Sequence, residues 1–123
     1  MRLRLLPGAF ALCRLTDPAA PVLPALPASF WSLTVTAGER SLVCPEEDAP
    51  ADGTVVRGYR VLEVAGPLDL GLTGIMASLA VPLAEAGVPI LPIGTHDTDY
   101  LLVPGAQLDP AVAALRAAGY TVA

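Results

Sequence analysis

The sequence predicts an α+β fold of two tandem modules, of which the first is eroded and the second is complete. After residue 57 the predicted elements follow the order strand, helix, strand, strand, helix, strand, whereas the apolar residues before it recur with a period of two. At 123 residues the chain accommodates two half-size units that share a core, but not two independent domains. We expect the modules to span residues 1–56 and 57–123.

Short strands dominate the N-terminal module. In the segment FWSLTVT, Trp31, Leu33 and Val35 fall on one face of a strand, and LRLL, FALCRL and SLVC have a similar pattern. Four prolines spaced three residues apart within 18–27 predict an extended connector, since a helix does not tolerate them. The acidic stretch 45–53 predicts a loop or a stub of helix.

The C-terminal module has regular helix and strand signals. The segment RGYRVLEVAG alternates as a strand, and a helix is predicted from a cap at Thr73 to a stop at Gly87. Two strands follow, VPILPIGT and YLLV. The second helix is predicted to have Asp109 as its cap, Pro110 at its first position and Gly119 as its stop, before a last strand, YTV.

This order of elements is the split βαβ, or ferredoxin-like, arrangement (βαββαβ). It places an antiparallel four-stranded sheet under two helices that cover one face. The other face and the sheet edges stay open for pairing, so we expect a homodimer. The surplus of apolar residues, 54% against 15% charged, also favours self-association.

Charge and hydropathy exclude two classes of partner. The formal net charge is -5 and the Lys and Arg residues are scattered, so the sequence lacks the basic stripe of a nucleic-acid-binding protein. No apolar run approaches the roughly twenty residues of a membrane span. Cys13 and Cys44 lie in apolar runs without the paired spacing of a zinc site. We expect buried thiols in a soluble, cytoplasmic protein.

The second half of the chain resembles the ACT domain, through the elements LTGI, PLAEAGVPI and GTHDTDYLLV. It is most similar to the subgroup of the CASTOR arginine sensors and their uncharacterised bacterial relatives. The likeness extends to FALCRL, FWSLTVT and RSLVCPE in the first half. The resemblance implies an amino acid bound where the first helix begins and the second strand starts, often at an interface between two modules. In the sensor branch the ligand contacts residues matching Gly74, Pro89, Ile90 and the acidic Asp99.

Two residues depart from the sensor pattern. Pro89 and Gly94 stand where relatives commonly carry Ser, which removes a hydroxyl at each position and a backbone donor at Pro89. The identity of the amino acid is therefore left open.

The chemistry of an amino acid agrees with these positions. Gly74 permits close approach to a helix N-terminus, whose free N–H groups suit a carboxylate, and acidic residues suit an ammonium group. The competing interpretations are that Gly74 serves helix packing, that Asp99 caps its own turn and that Asp97 is solvated. The predicted ligand-binding residues are Leu72, Thr73, Gly74, Ile75, Pro89, Ile90, Thr95, Asp97 and Asp99.

The sequence predicts no catalytic residues, no metal and no cofactor. His96 is the single histidine, and no further acidic cluster supports the HDTD segment as a metal site. Neither a Gly-x-Ser-x-Gly element nor a phosphate-binding loop is present. The main hypothesis is an amino-acid sensor that acts on a regulated protein partner. The alternative is a structural or docking dimer that has lost ligand binding, and a stand-alone enzyme ranks third.

Overall fold

A computed structural model describes residues 1–18, 23–24, 29–51 and 53–123. The predicted extended connector within 18–27 lies largely outside the described residues. In chain order the described elements are β1 (Arg2–Leu5), β2 (Phe10–Arg14), β3 (Ser32–Val35), β4 (Arg40–Pro45), β5 (Thr54–Val64), α1 (Ile75–Glu85), β6 (Leu91–Gly94), β7 (Asp99–Pro104), α2 (Leu108–Ala117) and β8 (Thr121–Val122).

The chain divides into two units. The inserted unit is Gly8–Tyr59, and the split unit combines Met1–Pro7 with Arg60–Ala123. The predicted division at residue 56 gave the first seven residues to the N-terminal module, whereas here they group with the C-terminal part. That the N-terminal part is an eroded ACT module stays a prediction.

The sheet of the split unit has the strand order β8-β1-β5-β7-β6. β1 is antiparallel to β5, with Leu3 opposite Val64, and parallel to β8, with Leu3 opposite Val122. The prediction of a purely antiparallel, four-stranded sheet was therefore wrong. The N-terminal strand occupies the position between β5 and β8, and because it runs in the same direction as β8 it adds a parallel pair.

Both helices pack on one face of this sheet, as the sequence predicted. Leu101 and Val103 alternate along β7 and join a cluster with Leu62 and Val64 of β5. The helices complete this cluster with the fully buried side chains Leu79, Leu83, Ala111 and Leu115. Burying a leucine contributes about 1.5–3 kcal/mol, so this layer holds the helices against the sheet.

Both helices end at the predicted glycines. Gly87 and Gly119 have φ angles of 72° and 98°. After α1, Val88 N–H donates to the carbonyl of Leu83 and Gly87 N–H donates to that of Ala84. This is a Schellman motif, which satisfies carbonyls that the helix end leaves free.

The predicted helix starts were displaced by one residue for α1 and by two residues for α2. Gly74 with φ 79°, and not Thr73, is the N-cap of α1, and no side chain caps that end. α2 begins at Leu108, so Asp109 lies in its first turn and not at its cap. There the carboxylate still acts favourably on the helix dipole.

The inserted unit contains an antiparallel sheet of order β3-β4-β2-β5, with the first part of β5 at one edge. Ala11 lies opposite Cys44, and Cys13 lies opposite Leu42. The predicted stub of helix is a single 3₁₀ turn, Glu46–Asp48.

The thiols of Cys13 and Cys44 are buried and free, as predicted. They share one face of the inserted unit and belong to the same buried cluster. Burial raises the pKa of both thiols, and that of Cys44 reaches about 12 with a smaller contribution from Cys13 beside it. Thiols with raised pKa values react slowly, because the thiolate is the reactive form.

Neither helix of the described residues has the length and hydropathy needed to cross a bilayer.

Candidate functional site

A cavity of about 260 Å³ lies in the split unit, where α1 begins and where the turn joins β6 to β7. Three segments form its wall: the loop between β5 and α1, the first residues of α1, and the β6–β7 turn. The cavity thus lies at the helix start and the turn named in the prediction, whereas the residues predicted at the start of β6 do not line it. Six predicted residues line it, namely Leu72, Gly74, Ile75, Thr95, Asp97 and Asp99.

The N-terminus of α1 forms one wall of the cavity. Gly74, Ile75 and Met76 line it, and the first intrahelical bond runs from Ser78 N–H to the Gly74 carbonyl. The N–H groups before Ser78 have no partner within the helix, and no side chain caps them. They lie at the positive end of the helix dipole, which favours an anion.

Carboxylates also line the cavity. Asp97 comes from the β6–β7 turn, Asp99 is the first residue of β7, and Asp69 comes from the stretch before α1. Asp99 is half-buried, whereas Asp97 is exposed and its Oδ1 lies 2.8 Å from His96 Nδ1. Oδ1 of Asp69 accepts a hydrogen bond of 2.7 Å from Gly71 N–H. Since no Lys or Arg lines the cavity, this acidic wall favours a cation.

Hydrogen bonds hold the backbone around the turn. Thr98 is the one polar residue classed as buried in the described part of the chain, and its Oγ1 donates to the Val64 carbonyl at 2.6 Å. Thr95 N–H donates to the Thr98 carbonyl at 2.9 Å, and Leu68 N–H donates to the Asp97 carbonyl at 2.7 Å. These bonds connect the turn to β5 and to the stretch before α1, so the wall segments are fixed relative to one another.

Three predicted residues do not line the cavity. Thr73 is exposed although both of its neighbours line the wall, and Pro89 is exposed before β6 begins. Ile90 is half-buried and packs against the main cluster of the split unit. Because the side chain of Ile90 packs into the core, it does not line the cavity.

Sequence reasoning missed the stretch that precedes α1. Asp69 and Gly71 do carry a local signal, because an Asp two residues before a Gly often forms the turn seen here. The lining residues that were not predicted are Leu68, Asp69, Leu70, Met76, His96 and Thr98.

The cavity offers N–H donors and carboxylates together. That combination suits a zwitterion, whose carboxylate and ammonium need opposite partners. In the described residues no group of three His, Cys, Asp or Glu side chains is arranged to hold a metal ion.

A family model described as ACT domain matches residues 54–117, more than half of the chain. The chain belongs to the ACT domain family. The matched region includes both helices of this ACT domain and every residue of the candidate cavity. No curated protein sequence matches the chain.

Solved structures similar to this ACT domain chain come from several bacteria. Protein Atu0741 from Agobacterium tumefaciens is 32% identical, with a TM-score of 0.85 over 99% of this chain and 91% of that one. The Vibrio cholerae protein VC0802 is 17% identical, with a TM-score of 0.69 over 95% and 88%. The regulatory subunit of aspartate kinase from Thermus flavus is 10% identical, with a TM-score of 0.64 over 94% and 95%. The last two likenesses show the fold alone.

Proposed function

We propose that this chain is a regulatory protein without catalytic activity, and that it binds an amino acid in the cavity at the start of α1. The observation that carries the proposal is that one cavity contains both an uncapped helix N-terminus and the carboxylates of Asp97 and Asp99. The ligand carboxylate is bound by the N–H groups at Gly74 and Ile75, and its ammonium group by the acidic wall.

The family supports this reading. ACT domains generally bind amino acids in regulatory roles, and two structures of the same fold are regulatory subunits of aspartate kinase. A regulatory subunit acts through a partner, so we include a regulated protein partner in the proposal.

The proposal keeps the finer predictions from the sequence. We propose that the chain belongs to the CASTOR-like subgroup and that the inserted unit is an eroded module. We also propose that the protein is a cytoplasmic homodimer. The elements LTGI and GTHDTDYLLV support the subgroup, and the similarity of nearly the whole chain to one bacterial protein supports its bacterial branch. Two buried free thiols agree with a reducing compartment.

Two exposed leucines support an effect of the ligand on module arrangement. Leu70 and Leu72 are 74% and 53% exposed, and both line the cavity. They offer an apolar surface to a second module at the position where the resemblance implies an interface between modules. A ligand bound there shifts the arrangement by its difference in affinity for the two poses.

The experiment is a thermal-melt screen of the purified protein against the twenty amino acids at millimolar concentration. A ligand that binds only the native state adds about 2.7 kcal/mol at a hundred times its dissociation constant, which raises Tm by several degrees. We expect one chemical class of amino acid to raise Tm.

Matched variants locate the binding site. Asp99→Asn keeps the shape of the side chain and removes its charge, so the ligand-induced rise should fall sharply. Asp48→Asn, at an exposed position of the inserted unit, should leave the ligand-induced rise in Tm unchanged. Equal responses of both variants would remove Asp99 from the site. A flat panel with the wild-type chain would favour the alternative, a docking protein that presents its exposed leucines and has lost ligand binding.

A further inference from the structure

The outer side of α2 borders a second cavity of the split unit, a groove of about 430 Å³. Its wall is mostly apolar, with Leu108 and Val112 of α2 facing Leu5 and Val122 of the neighbouring strands. Val122 belongs to the core cluster, and Leu5, Leu108 and Val112 pack against that cluster while remaining partly exposed at the groove. The groove shares no residue with the cavity at the start of α1.

Two opposite charges flank this apolar wall. Asp109 lies in the first turn of α2 and Arg116 in its last turn, and both are exposed and line the groove. They are seven residues apart, about two turns, so they lie on the same side of the helix. The midpoint between them falls between Val112 and Ala113.

This arrangement is complementary to itself. When a second α2 lies antiparallel across the first, a two-fold axis through that midpoint brings each Asp109 to Arg116 of the second copy. Val112 and Ala113 then meet their own equivalents at the axis. Ala113 is small and exposed, which allows two helix backbones to approach to about 8–10 Å.

We propose that two copies of this chain pair through α2, with antiparallel helices and two reciprocal Asp109–Arg116 ion pairs. Arg116 has donors free for this role, since a guanidinium carries five N–H groups and the Val122 carbonyl accepts one of them at 3.0 Å. The groove beside the helix receives apolar side chains of the second copy, and Leu108 and Val112 become buried.

The charges of the two cavities favour α2 over the rim of the ligand cavity as the contact between copies. The rim carries the carboxylates of Asp69, Asp97 and Asp99 with no Lys or Arg, so two copies meeting there would repel each other. At α2 the charges alternate and attract. This inference specifies the surface of the homodimer included in the proposed function, and it does not depend on a ligand.

The first experiment compares two Ala→Glu variants of the full chain by sedimentation equilibrium. Ala113→Glu places two like charges at the axis and should raise the dimer dissociation constant at least about tenfold. Ala84→Glu introduces the same charge at an exposed position of α1 and should leave it unchanged. A wild-type chain that is monomeric, or two variants that respond equally, would overturn the proposal.

The second experiment tests the antiparallel geometry. Asp109→Lys and Arg116→Glu each create two repulsive pairs, so each variant alone should dimerise about tenfold more weakly. Mixed in equal amounts, the two variants form two attractive pairs and should regain dimers, now containing one chain of each. Failure to regain dimers, with far-UV circular dichroism showing both variants folded, would exclude this geometry. The ligand screen measures amino-acid binding, whereas these experiments measure association of two copies. The proposed function and the α2 interface can therefore fail independently.

Discussion

Thr98 donates a 2.6 Å hydrogen bond from Oγ1 to the backbone carbonyl of Val64. The bond joins the β6–β7 turn to the end of β5, and Thr98 is only 7% exposed. Because the neighbouring Asp97 and Asp99 line the candidate cavity, this buried hydroxyl contributes, with the backbone hydrogen bonds of the turn, to holding the acidic wall in place.

Replacing Thr98 by Val should therefore destabilise the chain by about 1–3 kcal/mol, because the Val64 carbonyl loses its buried donor. The measurement is urea unfolding followed by circular dichroism. Thr54→Val, at an exposed position, is the matched control and should change stability by less than about 0.5 kcal/mol. A Thr98→Val variant as stable as this control would show that water replaces the hydroxyl.

Gly74 tests the approach of a ligand to the helix N-terminus. Its φ of 79° makes Ala unfavourable, so Gly74→Ala should cost about 1 kcal/mol of stability. A Cβ added there meets no heavy atom within 4 Å, so the methyl group extends into open space beside the helix N–H groups that we propose for the ligand carboxylate. The ligand-induced rise in Tm should be lost.

Gly87→Ala is the control for this variant. It has a similar φ of 72° and equally open surroundings, but it lies at the other end of α1. It should show the same loss of stability and keep the full ligand-induced rise in Tm. If both glycine variants retained the rise, close approach at Gly74 would not be part of binding.

Gly66 tests the packing behind the cavity wall. A Cβ at this position would lie 3.0 Å from both the Asp97 carbonyl oxygen and Thr98 Cβ, so Gly66→Ala forces the turn to move. We expect a loss of about 1–3 kcal/mol in the free energy of unfolding. Gly38→Ala adds a Cβ in open space at an ordinary φ and should change stability little. Equal melting temperatures for the two variants would contradict a tightly packed turn.

The thiol of Cys44 predicts how stability changes at high pH. Burial raises its pKa from 9.0 to about 12 in the folded chain, so the unfolded chain loses this proton first as pH rises. The free energy of unfolding should therefore hold below pH 9 and fall between pH 9 and about 12. Urea midpoints across this range give the slope, and Cys44→Val should make it shallower. A slope that Cys44→Val leaves unchanged would assign the effect to other groups.

The helices and strands that the sequence predicted correctly are those set by residues close together in the chain. Period-two apolar residues marked the strands, and Gly87 and Gly119 marked the helix ends because a left-handed residue is needed there. The start of α1 was predicted less accurately. Thr73 has a side chain suited to an N-cap, but the backbone places Gly74 at the N-cap position.

The lining of the cavity was likewise predictable only where residues close in the chain determine it. Gly74, Asp97 and Asp99 stand beside helix and strand ends that the pattern reveals, so their proximity was predictable. Ile90 was assigned to the ligand by resemblance, but burial against the core decides its position. The place of β1 could not be predicted, because a four-residue strand carries no signal for which partners it chooses among distant strands.

That position of β1 has a consequence for how the protein is made. Residues 2–5 leave the ribosome before either of their partners exists, since β5 ends at Val64 and β8 lies at Thr121–Val122. The pairing of β1 with β5 can therefore form only after residue 64 has been translated, and its pairing with β8 only after residue 122. Until β5 has been translated, Leu3 lacks the strand partner beside which it is buried in the folded chain.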